Sequence, residues 1–340
     1  MIAGDGVGPE VIGAGVRCIE KVADINFEWF DWGCSRYEKT GTFLPSDGLS
    51  TLSRFDAIYL GAVGWPTVPD HLSLWGLLLP IRKTLELYVN LRPTKLLPGV
   101  PCPLAHRGPD DVDMLFVREN TEGEYSGAGG RVHAGTDLEV AVETNVVTRR
   151  AVERVARYAF ERASERRGHM TSVTKSNASR HAYVLWDEVV AEVGKQYPKV
   201  KLERVLVDAM AARMVLNPAS VDVVLGSNLF ADILTDLAAA IQGGMGMAAS
   251  ANLNPERGAP GMFEPVHGSA PDIAGKGLAN PVGAMLSGAL MLEHVDLKPA
   301  AKKLEESVAQ AIAAGVRTRD VGGYASTSEM TDEVIRRLAT

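Results

Sequence analysis

The amino-acid sequence predicts an α/β protein with a largely parallel sheet. Three observations predict it. Short β-branched or apolar runs alternate with longer stretches of helical periodicity. Those runs end in loops marked by glycine or polar residues, as buried strands do. The 340 residues, 46% hydrophobic and 23% charged, suffice for about two domains with substantial cores.

The elements follow in order. Met1-Ile2-Ala3 is a short opening strand. Gly4-Asp5-Gly6-Val7-Gly8-Pro9-Glu10 reads as a tight strand–helix turn, with Pro9 near the helix start. It looks like a dinucleotide fingerprint, but that spacing needs glycine where Pro9 stands, so a Rossmann loop is not expected. Asp24 closes an ordinary turn before a strand at Ile25-Asn26-Phe27. Buried strands are predicted at Asp56-Ala57-Ile58-Tyr59-Leu60, Asp113-Met114-Leu115-Phe116-Val117 and Asp222-Val223-Val224-Leu225, and a further strand at Met170-Thr171-Ser172-Val173-Thr174. Positions 150–162 carry Val152 and Val155 at helical spacing, continued by Ala159 and Ala163. Positions 280–292 form a small-residue helix suited to close packing. Segment 127–148 departs from the rhythm. Glycines lead into alternating Leu138-Glu139-Val140-Ala141-Val142-Glu143-Thr144-Asn145-Val146, predicting a half-buried antiparallel strand or arm. No Pro/Ser linker marks a domain boundary, so the chain is expected to cross between domains more than once.

Thirty-five Lys and Arg against 42 Asp and Glu leave a net charge of −7, which argues against a nucleic-acid partner. No apolar run is long enough to span a bilayer, and no secretory leader opens the chain. Cys18, Cys34 and Cys102 are few and far apart, so a cytoplasmic location without disulfides is expected.

Several residues suggest chemistry. Arg82, Arg92 and Arg118 stand at the ends of apolar segments. One alone reads as a surface or ion-paired arginine; three suit a ligand with two carboxylates, which guanidinium forks bind bidentately. In Ser227-Asn228-Leu229-Phe230-Ala231-Asp232-Ile233-Leu234-Thr235-Asp236-Leu237, Ser227 or Asn228 is a helix N-cap. Asp232 and Asp236 then share a face beside an expected buried stripe of Leu229, Ile233 and Leu237. A divalent cation would relieve their repulsion, with Asp208 as a third ligand; the other reading is a solvated acidic face. Lys175 ends a strand among small polar residues and Tyr125 follows Glu122-Gly123-Glu124; each is a candidate proton carrier or merely a surface or loop residue. His267-Gly268-Ser269-Ala270-Pro271-Asp272-Ile273 is a tight loop where a histidine could face an adenine and an aspartate a ribose diol; Asn280 follows.

Together these motifs resemble the metal-dependent β-decarboxylating dehydrogenases: isocitrate, 3-isopropylmalate, D-malate and tartrate dehydrogenases. The resemblance rests on Gly4-Asp5-Gly6, Asn90-Leu91-Arg92-Pro93, Arg118-Glu119-Asn120-Thr121-Glu122-Gly123, Ser227 to Phe230 with Asp232 and Asp236, and Glu264-Pro265-Val266-His267-Gly268-Ser269-Ala270-Pro271-Asp272. Gly61-Ala62-Val63-Gly64-Trp65-Pro66 and Trp75-Gly76-Leu77-Leu78-Leu79-Pro80-Ile81-Arg82 look most like the tartrate/D-malate branch. The strand before Gly4 is shorter than the family pattern, and Ala178 and Ala231 stand where that branch has glycine.

The resemblance implies an isocitrate/isopropylmalate dehydrogenase-like open α/β sheet, not a Rossmann fold. It implies a first, cofactor-side domain from 1–88 and 247–340 and a second from 89–246, with a dimer arm around 127–148. It implies a homodimer with shared active sites, Lys175 and Asp208 coming from the opposite subunit. Arg82, Arg92 and Arg118 would bind a small 2-hydroxy diacid. Trp75, Leu78 and Leu79 would face its C3 substituent and favour D-malate or tartrate over bulkier acids. Asp208, Asp232 and Asp236 would hold Mg²⁺ or Mn²⁺. Lys175, with Asp208, would take the hydroxyl proton, and Tyr125 would protonate the enolate. His267, Gly268, Ser269, Ala270, Asp272, Ile273 and Asn280 would bind the cofactor. NAD is expected over NADP, since Asp272 would accept from both ribose hydroxyls and no cation neighbours it in sequence to receive a 2′-phosphate. The alternatives are a 3-isopropylmalate dehydrogenase and a non-catalytic regulatory subunit of an isocitrate dehydrogenase-like assembly. The second conflicts with the presence of every expected acid, the lysine, the tyrosine and all three arginines.

Overall fold

The structure, a computed structural model, describes residues 1–256 and 258–339. It divides into two compact units. The first comprises Met1–Leu87, Leu91–Asp113 and Ala238–Thr340; the second comprises Tyr88–Asn90 and Met114–Leu237. The strands, in chain order, are β1 (Ile2–Gly4), β2 (Ala57–Ala62), β3 (Val89–Lys95), β4 (Asp113–Glu119), β5 (Gly129–Val132), β6 (Val140–Glu143), β7 (His169–Thr174), β8 (Lys201–Leu206), β9 (Val223–Gly226), β10 (Ala249–Leu253) and β11 (Gly261–Pro265).

In the first unit the strands run β1-β2-β11-β10-β3. The β1–β2 and β2–β11 pairs are parallel and β10–β11 is antiparallel. The predicted strand after Asp24 is absent; that stretch makes only a single bridge, Phe30 to Ile2. After β1 the chain turns through Gly4 and Gly6, at φ +71° and +60°, a left-handed backbone that favours glycine. It then enters the helix Gly8–Ile19 with Pro9 in its first turn, as the sequence predicts. Asp5 fixes this turn by accepting from the Cys34 and Gly64 amides at 2.9 and 3.0 Å. The Val7 amide donates to the Ser269 carbonyl at 2.8 Å, and a Cβ on Gly6 would strike that same carbonyl. The glycine is therefore there for loop-against-loop packing.

The small-residue helix Val282–His294 lies against Gly8–Ile19. A Cβ on Gly288 would press on Ile19, and one on Gly15 would collide with the Tyr59 hydroxyl. That buried hydroxyl donates to the Ala284 carbonyl at 2.5 Å, so the ring is satisfied at its polar end. Ahead of Arg82, residues Leu74–Leu78 form one wide π-turn, in which the Leu79 amide reaches back to Leu74. Pro80 explains it. In a regular helix its ring would meet the carbonyl four residues earlier, and the wider turn avoids that clash.

In the second unit the order is β4-β9-β7-β8, all parallel. The helix Arg149–Glu165 buries Val152, Val155, Ala159 and Ala163, the predicted face. The helix Ala182–Gly194 buries Trp186, whose indole donates to Ser172 of β7 at 3.0 Å. Two expectations fail here. β5 and β6 do pair antiparallel, but every residue of both is exposed in the single chain, including Val132, Val140 and Val142, so the predicted half-burial is absent. The helix Asn228–Ile241 does not bury the Leu229–Ile233–Leu237 stripe. Ile233 is exposed, and Ala231, Leu234, Thr235 and Ala238 face inward instead. Short residues there allow the helix to lie close; the alternating leucines misled because apolar spacing alone cannot say which stripe is covered.

Candidate active site

Arg118 ends β4 and is buried. Its Nε and one terminal nitrogen donate to Asn228 Oδ1 at 3.0 and 2.7 Å, and the other terminal nitrogen pairs with Asp232. Asn228, the first residue of its helix, also donates to the Glu122 carbonyl at 3.0 Å. It thereby orients the arginine rather than capping its own helix. The neighbouring Ser227 stands at the predicted N-cap position, its carbonyl accepting from the Ala231 amide at 2.9 Å, while its hydroxyl bonds the Tyr183 hydroxyl at 2.8 Å. The Tyr125 hydroxyl donates to the second oxygen of Asp232 at 2.9 Å. Buried Glu119 shapes the intervening turn, accepting from the amides of Thr121 and Glu122 at 2.9 Å each. Burial raises the Glu119 pKa, with the Thr121 and Glu122 donors pulling the other way. Arg118, Asp232 and Tyr125 thus form one hydrogen-bonded chain: a cation, a carboxylate and a phenol.

Asp236 lies one turn beyond Asp232 and is exposed. Lys175, just past β7, donates to Asp208 at 2.6 Å, in the first turn of the helix Val207–Leu216. The lysine's hydrogen bond is the first cause holding the Asp208 carboxyl below its usual pKa. Among the described residues of one chain, no three His, Cys, Asp or Glu side chains gather to hold a metal. The donor chemistry still suits a hard divalent cation, since the candidate ligands are all carboxylates.

In the first unit, Arg82 is buried and donates to Glu264 at 2.7 Å. Asn252 donates to the same carboxylate oxygen at 2.9 Å. The buried Nε of Arg82 has no hydrogen-bond partner among the described residues, as suits a guanidinium with capacity left for an anion. Arg92 is also buried, on β3. Trp75 is exposed, Leu78 half-buried and Leu79 buried.

The loop after β11 is tied to the helix Gly8–Ile19 by Glu10. That carboxylate, in the first turn of the helix Gly8–Ile19, accepts from the amides of Gly275 and Gly277. The His267 Nδ1 sits 2.9 Å from the Gly268 carbonyl, while its buried Nε2 lacks a partner among the described residues. Burial lowers the His267 pKa, so the ring is neutral at pH 7. A Cβ on Gly268 would meet nothing within 4 Å, Asp272 is exposed, and Ser269, Ala270 and Ile273 beside them are half-buried. An orphaned ring nitrogen, an open glycine and an exposed carboxylate on one loop fit an adenosine-bearing cofactor. Asn280 is buried; it donates to Asp320 at 2.9 Å and accepts from Val282 at 3.0 Å, which ties the loop to the next helix. One expectation needs correction. The Lys276 ammonium reaches the Asp272 carbonyl at 2.7 Å, so a cation does adjoin that residue in space.

Sequence reasoning gave no site role to Asn228, Glu10 or Asp320, because their partners, Arg118, the Gly275 and Gly277 amides and Asn280, lie far away in sequence. Glu264 stood inside a quoted motif, and its place beside His267 was the available signal.

The isocitrate/isopropylmalate dehydrogenase family model matches residues 1–334. The chain is 52% identical, over 99% of its length and 96% of the other's, to a probable tartrate dehydrogenase/decarboxylase of Agrobacterium vitis. It is 48% identical to the D-malate dehydrogenase (decarboxylating) of Escherichia coli, covering 98% and 96%. The crystal structure of isocitrate dehydrogenase from Methylococcus capsulatus superposes with a TM-score of 0.91 at 35% identity, covering 100% and 98%. The chain belongs to the isocitrate/isopropylmalate dehydrogenase family and is an enzyme with that fold. Its relatives by sequence include proteins named for tartrate and D-malate. No helix among the described residues is long and apolar enough to cross a membrane.

Proposed function

We propose that this enzyme carries out the NAD-dependent, Mg²⁺- or Mn²⁺-dependent oxidative decarboxylation of a small 2-hydroxy diacid, D-malate to pyruvate and CO₂, and also oxidises tartrate. The observation that carries the reading is the Arg118–Asp232–Tyr125 chain. It brings a guanidinium, a carboxylate and a phenol into direct contact, which supports their use as carboxylate binder, metal ligand and proton donor. The names of the relatives from Agrobacterium vitis and Escherichia coli support the substrate class.

A bound divalent cation would supply Lewis acidity and a bound nicotinamide would supply the hydride acceptor. The protein's own groups do the rest. Arg82, Arg92 and Arg118 fix the two carboxylates. Glu264 and Asn228 fix two of those arginines in turn. Asp208, Asp232 and Asp236 would hold the metal. Lys175, after passing an ammonium proton to Asp208, takes the hydroxyl proton on its Nζ. Loss of CO₂ leaves its electron pair as an enolate, and the Tyr125 hydroxyl delivers a proton to C3. Two subunits share the site, Lys175 and Asp208 arriving from the partner. The exposed apolar arm at Val132, Leu138, Val140 and Val142 supports such a dimer. NAD is preferred to NADP because the Asp272 carboxylate repels a 2′-phosphate and the Lys276 ammonium is engaged on a backbone carbonyl. Cys18, Cys34 and Cys102 are all free thiols, which supports a reducing, cytoplasmic setting.

The test is a panel of D-malate, tartrate, 3-isopropylmalate and isocitrate, each with NAD or NADP and with Mn²⁺ or a chelator. D-malate is expected first, 3-isopropylmalate reduced and isocitrate worst, because isocitrate would bury a third carboxylate beside Leu78 without a partner. Chelation is expected to abolish turnover. A higher kcat/KM for isocitrate than for D-malate, or full activity in chelator, overturns the reading.

A further inference from the structure

Trp75 carries unusual constraints for an exposed residue. Its indole is 41% exposed, yet three features hold its position. The wide turn at Leu74–Leu78 rotates it relative to the residues that follow. The adjoining Gly76 lies so close to Phe43 that any Cβ there would strike the ring. Phe43 is itself stacked on Tyr37 at 4.4 Å, so the backing is stiff. Finally, the Lys83 ammonium stands 4.5 Å from the centre of the indole ring, within the range of a cation–π interaction. Burial lowers the pKa of this ammonium. It therefore sits in a partly desolvated setting, where its attraction to the indole face is stronger than in open water.

Ordering the indole costs rotamer entropy, and the part of it that remains exposed gains no burial in return. The arrangement makes sense as a preformed wall for a ligand. Lys83 follows Arg82 directly, so the same short helix presents an anion-binding guanidinium and the cation that steadies the wall.

We propose that Lys83 is a specificity-determining positioning residue: through its contact with the Trp75 indole it fixes the wall of the substrate's C3 subsite and so excludes branched alkyl substituents. The proposal rests on the small 2-hydroxy diacid reading above. With the ammonium in place, the indole cannot swing aside for an isopropyl group. Without it, the indole gains rotamers and the subsite widens. D-malate has only hydrogen at C3 and does not press on the wall, so its turnover depends little on Lys83.

The experiment is a double-mutant cycle on kcat/KM for D-malate and 3-isopropylmalate, using Lys83→Met, Lys83→Arg, Trp75→Ala and the Lys83→Met/Trp75→Ala pair. A cation–π contact of this kind corresponds to a change of roughly three- to tenfold. Lys83→Met is expected to raise the 3-isopropylmalate to D-malate ratio by about that factor, and Lys83→Arg, which keeps a cation over the ring, to restore the wild-type ratio. In the Trp75→Ala background, Lys83→Met is expected to leave the ratio unchanged. Acrylamide quenching of tryptophan fluorescence should rise in Lys83→Met as the indole loosens. An unchanged ratio in Lys83→Met, or the same change with and without Trp75, overturns the proposal. A wild-type enzyme that fails to oxidise D-malate overturns the reading beneath it, and that outcome is seen in the first measurement, before any variant is made.

Discussion

Asp232 joins a structural role to a catalytic one, and Asp232→Asn separates them. Its two carboxylate oxygens accept from different donors, one from Arg118 and one from the Tyr125 hydroxyl. An asparagine offers one acceptor oxygen, so its amide nitrogen must face one of those donors. The loss of charge matters most at Arg118, whose side chain is 2% exposed against 33% for Asp232. Removing one partner of a fully buried ion pair costs about 3–5 kcal/mol. Here the carboxylate is a third exposed and solvent screens it. Arg118 also keeps its two bonds to Asn228. The expected loss is therefore about 1–3 kcal/mol, or a fall in Tm of about 3–10 °C for a unit of this size. Asp236 is exposed, so Asp236→Asn is expected to lower the Tm less than Asp232→Asn does. Both variants are expected to lose at least about a hundredfold in turnover, since each removes a proposed metal ligand. Thermal unfolding followed by circular dichroism reads the first quantity, and NADH production with saturating Mn²⁺ the second. If Asp232→Asn melts with the parent, the ion pair does not hold Arg118 as described. If it turns over within a few-fold of the parent, the metal assignment is wrong.

The other predictions concern protons. Tyr125→Phe is expected to slow decarboxylation and enolate protonation more than hydride transfer, and Lys175→Met to slow oxidation, each by about 10²–10⁴; hydride transfer and CO₂ release measured separately in single turnovers check this, and few-fold effects on both would remove the assigned roles. For His267, burial lowers the folded-state pKa below the unfolded value of about 6.5. Above that pH both states are neutral and the group has no effect. As pH falls through it, the unfolded chain takes up the proton first, so stability declines until the folded ring also protonates. Urea unfolding between pH 7.5 and 5 should show that decline, and His267→Gln should flatten it; an identical pH dependence in the variant would contradict the buried neutral ring.

Much of this protein is legible in the sequence by itself. Apolar runs identified β2, β4 and β9, because a strand of a parallel sheet covered on both faces reads as a near-continuous apolar stretch. Pro9 in place of a third glycine excluded the Rossmann loop, since proline can start a helix but cannot admit a pyrophosphate as closely as glycine does. The motif residues named the chemistry, because carboxylate, guanidinium and phenol groups have few alternatives for it. Tertiary structure decided what depends on distance. Spacing could not choose between the Leu229–Ile233–Leu237 stripe and the Ala231–Leu234–Ala238 one, as burial depends on the neighbouring element rather than on periodicity. Nor could it reveal that Asn228 orients Arg118 across 110 residues, or that Glu264 meets Arg82 across 182. A hydrogen bond is fixed by ångströms between folded elements, and only the packing of those elements brings such residues together.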